Sequence, residues 1–440
     1  MPQHIVLAYS GGLDTSVMVH WLKTHHNAKV TCAMLDLGQG EAHLEEAKAR
    51  ALANGAEQVL ILPAKEEFIR DYIAPAIRAN AMYEGVYPLA TALGRPLIAK
   101  KLVEAVRRVG GDAVAHGCTG KGNDQVRIEA GVKALYPGMT TLAPQRTHPM
   151  TRDATVEYAR QHNLEVPHLK RSTYSTDDNL WGRSIEGGDT EDPAHAPHDD
   201  AFRLTVNPLR APDTPGVFEL RFEAGLPVAL NGVPLALADL IEALNRAAGA
   251  HGIGRIDHVE NRLVGIKSRE VYEAPAATVI LTAKRALEAL TLTKEESKLK
   301  PYLEQKFSEN VYDGLWYAPV MKPIRAALDA IAENVTGTVR LQAYKGQLSI
   351  LGRTSPVSLF KDNLATYTNA DRFDHHASEG FITLWSLPTE TANAVRSGAT
   401  GGVARKAPGA KVGLRERLSV ALKADRTAVK AKARKPKRKA

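Results

Sequence analysis

Ala8-Tyr9-Ser10-Gly11-Gly12-Leu13-Asp14-Thr15-Ser16 follows the apolar run Ile5-Val6-Leu7 near the N-terminus. An apolar run that enters two glycines and then hydroxyl residues reads as a strand, a tight turn and the start of a helix. Backbone N–H groups in such a turn approach an anion closely, and the positive end of the following helix dipole favours negative charge there. Ser10, Thr15 and Ser16 add hydroxyl donors. The stretch is a phosphate site, but not of the Walker type, because no Lys-Ser/Thr pair follows a longer glycine loop. A plain turn capped by Thr15 would account for the glycine pair, but not for three hydroxyls and Asp14 beside it.

Helix and strand alternate from there. Met18, Trp21 and Leu22 keep helical spacing, residues 30–35 form an apolar strand ending at Asp36-Leu37-Gly38-Gln39-Gly40, and Leu44, Ala47, Ala51 and Leu52 share a helical face. Residues 59–62 read as a strand, Ile98, Leu102, Ala105 and Val109 as a helix ending at Gly110-Gly111, and residues 112–116 as a further strand. Strands of near-continuous apolar character separated by helices predict an α/β fold, a doubly wound parallel sheet with helices on both faces. Ligands of such sheets sit beyond the carboxyl ends of the strands, where the first loop, the 36–40 loop and the loop after His116 all fall. That last loop, Gly117-Cys118-Thr119-Gly120-Lys121-Gly122-Asn123-Asp124-Gln125-Val126-Arg127, supplies hydroxyl, amide, carboxylate and guanidinium in one span. A helix starting at Asn123 or Asp124 would make one of these a cap, not all four.

The 440 residues suffice for two domains, and 44% apolar with 24% charged residues is ordinary for a soluble globular chain. No apolar run reaches membrane-spanning length and the N-terminus lacks a signal pattern, so a cytoplasmic protein is expected. Cys32 and Cys118 cannot make a disulfide framework and read as small hydrophobes. The net charge of +8 divides unevenly: residues 401–440 hold 14 Lys and Arg against Glu416 and Asp425, a tail of +12 that leaves −4 for residues 1–400. The basicity belongs to an appendage.

Past Thr151 the alternation weakens. Residues 174–184 read as a polar, loop-like stretch, with a domain boundary near Arg171. His195 and His198 beside Asp199 and Asp200 lack a regular element to fix metal geometry and read as a solvated loop. Residues 202–233 are β-rich with an Asn231-Gly232 hairpin turn, and helices are expected over 235–248 and 276–292, which together predict a second α+β domain. Short strands return over 336–357. Beyond Arg396 a Ser-Gly-Ala-Thr-Gly-Gly run reads as a flexible linker to the basic tail, where Leu414, Leu418 and Leu422 could mark a short helix.

Five motifs in order carry a family resemblance: the residues 8–16 loop, Tyr87-Pro-Leu-Ala-Thr91, the 117–127 loop, Tyr174-Ser-Thr-Asp-Asp-Asn-Leu-Trp-Gly-Arg-Ser184, and Ile256-Asp-His-Val-Glu260-Asn-Arg running to Tyr272-Glu. The first resembles the pyrophosphate loop of enzymes that split ATP between its α and β phosphates, and the set is similar to the argininosuccinate synthase family from about Ile5 to about Ile382. The resemblance implies an ATP-binding domain over 1–170, a substrate domain over 171–365, a C-terminal oligomerisation segment over 366–396 serving a homotetramer, and a flexible tail over 397–440 that departs from the family.

It implies a ligase that joins citrulline and aspartate at the expense of ATP with Mg²⁺, through a citrullyl-adenylate, with Asp14 and Asp124 in catalytic roles. ATP falls to Ala8, Tyr9, Ser10, Gly11, Gly12, Leu13, Asp14, Thr15, Ser16, Ala33 and Gly117. Citrulline falls to Tyr87, Thr91, Asn123, Arg127, Ser175, Ser184, Glu260 and Tyr272, and aspartate to Thr119, Asn123 and Asp124. Ala92 stands where many relatives carry Ser, so Thr91 is the substitute hydroxyl near Tyr87. No resident metal, membrane or specific nucleic acid is implied, although the tail suits polyanions. Two other readings stay open. A tRNA-modifying ATP-splitting enzyme would use the tail to hold RNA, and a nucleotide-responsive nucleic-acid binder would leave Arg127, Ser175, Glu260 and Tyr272 without purpose.

Overall fold

β1 (His4–Ala8) is the central strand of a parallel sheet whose side chains divide between two helical layers. The computed structural model describes residues 2–37, 41–167 and 174–398. Part of the 36–40 loop, the boundary at Arg171, the end of the linker and the whole basic tail with its three leucines lie outside them. β1 pairs in parallel with β2 (Lys29–Asp36) and β4 (Ala113–Ala115), β2 with β3 (Gln58–Pro63), and β4 with β5 (Thr140–Leu142), giving the order β3-β2-β1-β4-β5.

The period of two along a strand fixes the layers. Ile5 and Leu7 pack with Trp21, Leu22, Leu44 and Ala51 from α1 (Leu13–His26) and α2 (Glu41–Ala53). Val6 faces the other way, against Leu102, Val106, Ile128 and Val132 from α3 (Ala90–Val109) and α4 (Asp124–Leu135). Strand order reverses between β1 and β4, so a crevice opens at their carboxyl ends, where residues 9–12 and 116–123 lie.

The second half is antiparallel. The region expected as a polar loop is instead a hairpin of β6 (Ser175–Asn179) and β7 (Gly182–Glu186). Two of its three apolar residues, Leu180 and Trp181, sit at the turn and only Ile185 lies on a strand, and polar β6 is an edge strand. The turn is plugged into the start of α3: Trp181 Nε1 donates to the Pro88 carbonyl at 3.0 Å and Asn179 Nδ2 to that of Ala90 at 2.7 Å.

With β11 (Arg255–Asn261) and β12 (Lys267–Glu273) this hairpin makes the sheet β11-β12-β7-β6. β8 (Gly216–Glu223), β9 (Leu226–Leu230), β10 (Val233–Pro234), β13 (Gly337–Tyr344) and β14 (Gln347–Thr354) form another, with Asn231 and Gly232 in the left-handed region at the predicted turn. Helices span Leu237–Gly249, Pro275–Thr291 and Lys294–Tyr312. Apolar residues of this half share one core with Tyr87, Leu93 and Leu97 from the first, and residues 1–361 form one compact unit. Residues from Asp362 form a second, whose helix Ala377–Arg396 exposes Phe381, Ile382, Leu384 and Trp385 by 60% or more.

Candidate active site

The first loop closes tightly before α1. Gly11 has φ +77°, and a Cβ there would lie 2.4 Å from that of Ala47. Arg50 donates to the Gly11 carbonyl at 2.7 Å, which holds the turn from outside. Gly12 caps α1 with extended backbone and no side-chain hydrogen bond, so the positive helix end is open to an anion. The hydroxyls of Ser10 and Thr15 lie 3.2 Å apart at the mouth, while those of Tyr9 and Ser16, both buried, pair at 3.1 Å beneath it. Gly11→Ala is expected to cost about 2 kcal/mol of stability in a denaturant titration, together with nucleotide use, because both the φ and the space are wrong for a side chain.

Asp14, in the first turn of α1, makes no hydrogen bond or ion pair with the described residues, and partial desolvation by the surrounding protein pushes its carboxyl pKa up against the charge of Arg152. A solvent-reachable carboxylate without a partner beside a phosphate cradle is the donor that Mg²⁺ takes when phosphates fill most of its shell. Ala33, buried within β2, flanks the start of the first loop, its carbonyl accepting from Tyr9 N–H at 3.0 Å. Gly117 packs on Thr15: a Cβ there would meet Thr15 Cγ2 at 3.2 Å, so the two loops touch.

The second loop is anchored from below. Cys118 N–H donates to His116 Nδ1 at 3.3 Å, which leaves the proton on Nε2 to donate to Glu129 at 3.2 Å, and Arg146 donates to the same Glu129 oxygen at 2.6 Å. The His116 hydrogen bond, with Arg146, outweighs burial and draws the Glu129 carboxyl from 4.5 to about 2. A depressed carboxylate stabilises the fold above its unfolded pKa and loses that contribution as pH falls through its folded one. The carboxylate is partly solvated, so after solvent screening the shift is worth on the order of 1–2 kcal/mol, and Glu129→Gln should lower the denaturation midpoint at pH ~6 and remove most of the difference by pH ~2.

Three sequence-assigned residues, Asn123, Asp124 and Arg127, meet at the head of α4. Asp124 accepts from Arg127 at 2.9 Å and from Arg95 at 2.7 Å. Burial alone would raise its pKa, but the two guanidinium groups win and hold it well below the usual carboxylate range. Arg127 also donates Nε to the Tyr312 carbonyl at 2.7 Å and lies over the Tyr312 ring at 4.6 Å. Asn123 donates Nδ2 to the Tyr312 hydroxyl at 2.7 Å and accepts at Oδ1 from Leu263 N–H at 2.9 Å.

Glu260 is buried and accepts from the hydroxyls of Tyr272 at 2.6 Å and Tyr312 at 2.5 Å. A surface ion pair with Arg262 or Arg269, the plainest alternative for this acid, is absent among the described contacts, since Arg262 pairs with Glu186 and Glu270 and Arg269 with Asp257. Tyr272 stacks on Tyr87 with centroids 4.0 Å apart. The Tyr87 hydroxyl meets Thr91 Oγ1 at 2.7 Å. Burial raises the phenol of Tyr87 to about 12 and that of Tyr272 well above its ordinary value, which keeps both protonated near neutrality. Leu89 sits between these groups at φ +63°, a conformation costly for a branched side chain and held by complete burial.

Ser184 lies opposite Tyr272 across the β7–β12 ladder, and Ser175 opposite Glu186 across β6–β7. Ser175 and Thr119 stand at the rim, with no side-chain hydrogen bond to the other assigned residues among the described contacts. Arg95, Asp177 and Tyr312 escaped the sequence reading: Arg95 reaches both Asp124 and Asp177, and Tyr312 joins Asn123, Arg127 and Glu260. The Thr91–Arg95 spacing of one helical turn was the available signal for the first.

An uncapped helix end beside a carboxylate, next to a buried set of paired acids, arginine and tyrosine hydroxyls, can hold a polyphosphate against zwitterionic substrates. Residues 4–165 match the family model for the arginosuccinate synthase N-terminal HUP domain, and residues 174–392 the one for the arginosuccinate synthase C-terminal domain. Similar proteins named argininosuccinate synthase occur in Rubrobacter xylanophilus (54% identical over 384 residues, 87% of this chain and 93% of the relative) and Bacillus pumilus (52% over 386 residues, 88% and 95%). Another, in Listeria monocytogenes serotype 4a, is 50% identical over 398 residues, 90% of this chain and 98% of the relative.

Proposed function

The chain belongs to the argininosuccinate synthase family, and from that premise we propose that its crevice joins citrulline to aspartate in two steps at the expense of ATP. It is an ATP-using ligase forming a C–N bond, in arginine biosynthesis. A ureido carbon has no leaving group, so its oxygen first attacks the α-phosphorus of ATP and releases pyrophosphate; the aspartate amine then displaces AMP. No covalent enzyme intermediate is needed, and positioning with charge stabilisation does the work.

The observation that carries this reading is the Glu260–Tyr312–Arg127 cluster, joined through Asn123 to the loop whose Gly117 packs on Thr15 at the uncapped start of α1. Arg127 offers a fork for the citrulline carboxylate and Glu260 an acceptor for its ammonium, with Tyr87, Thr91, Ser175, Ser184 and Tyr272 around them. Thr119, Asn123 and Asp124 face aspartate, and Asn123 serves citrulline as well. The residues 8–16 loop, Ala33 and Gly117 hold ATP, and Asp14 would hold Mg²⁺, which when bound offsets phosphate charge. With ATP and citrulline alone the protein should release pyrophosphate, and AMP should appear only when aspartate is added. ATP cleaved to ADP and phosphate instead would overturn the assignment.

The exposed apolar face of Ala377–Arg396 supports a homotetramer covered by further copies of the chain, which light scattering would detect as a fourfold mass. No helix among the described residues is long and apolar enough to cross a membrane, in keeping with a cytoplasmic enzyme. The +12 tail is an appendage, so removal of residues 401–440 should leave turnover nearly intact while abolishing salt-sensitive retention on polyanions. Loss of turnover on deletion would instead place the tail in the catalytic machinery.

A further inference from the structure

Lys121 sits between Gly120 and Gly122 in the loop assigned to aspartate. Glycine on both sides leaves that backbone few intrinsic restraints, so its geometry must be imposed from outside. The tip of the β11–β12 hairpin supplies two contacts: Arg262 donates to the Lys121 carbonyl at 3.2 Å, and Leu263 N–H donates to Asn123 Oδ1 at 2.9 Å.

The remaining donors of Arg262 are committed elsewhere. Nε donates to Ser268 Oγ at 2.6 Å, one terminal nitrogen reaches Glu186 on β7 at 3.0 Å, and the same nitrogen pairs with Glu270 on β12. Glu270 is itself buried and accepts from Ser268 Oγ at 3.0 Å. Two carboxylates and a hydroxyl thus fix the plane of one guanidinium, and its other terminal nitrogen points at the loop. An ammonium placed there would keep the charge but not the several directions at once.

We propose that Arg262, held between Glu186 and Glu270, is the positioning residue that sets the backbone of the Gly120–Asn123 segment and so orients the aspartate-binding groups. The proposal rests on the assignment of Thr119, Asn123 and Asp124 to aspartate. The charged citrulline groups have braces of their own, Arg127 the Tyr312 carbonyl and Glu260 two tyrosine hydroxyls, and Asn123, shared by both substrates, keeps its bond to the Tyr312 hydroxyl.

Arg262→Lys is the discriminating variant, because it keeps a cation against the two acids while giving up the Lys121 contact. In the substrate-free protein, amide hydrogen exchange at residues 119–123 should speed up. In turnover, KM for aspartate should rise about tenfold, the effect of losing one charge-assisted hydrogen bond, with KM for citrulline within about twofold. Pyrophosphate formation from ATP and citrulline alone should keep its wild-type rate. Lys267→Ala, which removes a hairpin cation outside this set, should change none of these. Unchanged exchange in Arg262→Lys, or a rise of both Michaelis constants together with a lower melting temperature, would overturn the proposal. If the wild type fails to make AMP from the three substrates, the functional reading fails, whereas the exchange measurement still decides whether Arg262 orders the loop.

Discussion

Asp124→Asn should lower kcat/KM for aspartate by about three orders of magnitude while leaving adenylation of citrulline largely in place. Asp124 is the only described acid shared by Arg95 and Arg127, at 2.7 and 2.9 Å, and its carboxyl stays ionised against burial because both cations face it. An amide of the same shape removes the negative charge that an incoming ammonium would meet and leaves two guanidinium groups facing each other. Breaking a buried charge pair by removing one partner costs roughly 3–5 kcal/mol, the scale of the expected loss. Arg127 keeps its Nε bond to the Tyr312 carbonyl and its place over the ring, and Arg95 keeps Asp177, so the citrulline side moves less. Steady-state constants for both amino acids, with pyrophosphate release in the absence of aspartate, make the comparison. Equal loss for both substrates, with adenylation abolished, would show that Asp124 holds the whole site together rather than one half of it.

What the sequence revealed and what it hid follow from how local each signal is. The parallel sheet was legible because β1, β2 and β4 are apolar runs with both faces buried, and because each is followed by a glycine-bearing turn or loop. Asn123, Asp124 and Arg127 were legible because three polar groups lie within five residues at a helix start. Tyr312 gave no comparable signal. It closes an amphipathic helix and reaches Asn123 across 189 positions and Glu260 across 52, distances at which one sequence carries no pairing information. Arg95 hid for a related reason: charged residues in a helix normally face solvent, and only the fold turns this one inward onto Asp124. The β6–β7 hairpin was read as a loop because its strands place Thr, Asp, Asn, Arg and Ser where alternating apolar residues would announce a sheet. Several of those polar residues hold the hairpin in place, Asn179 on the Ala90 carbonyl and Arg183 on Asp178 and buried Glu273, and such long-range pairings leave no local apolar pattern.

Glu260→Gln should raise KM for citrulline about a hundredfold, with a change of no more than about fivefold for aspartate. The carboxylate uses one oxygen for each of two buried tyrosine hydroxyls, Tyr272 at 2.6 Å and Tyr312 at 2.5 Å. Glutamine can accept at only one of those positions. Turned towards Tyr272, its oxygen leaves the amide nitrogen facing Tyr312, whose hydroxyl already receives Asn123 Nδ2 at 2.7 Å and would lose the acceptor for its own proton. Turned the other way, the conflict moves to Tyr272 and through the 4.0 Å stack to Tyr87. Either orientation leaves a donor unmatched in a buried place and removes the charge available to the citrulline ammonium, so the two penalties act on the same substrate. Aspartate is affected only through Asn123, which keeps its bond from Leu263 N–H. Tyr312→Phe separates the contributions: it removes the hydroxyl bridge while sparing the Glu260 charge, and should raise both constants by about three- to tenfold. If Glu260→Gln, like Tyr312→Phe, shifts both substrates alike, Glu260 serves the packing of the tyrosines and not the recognition of citrulline.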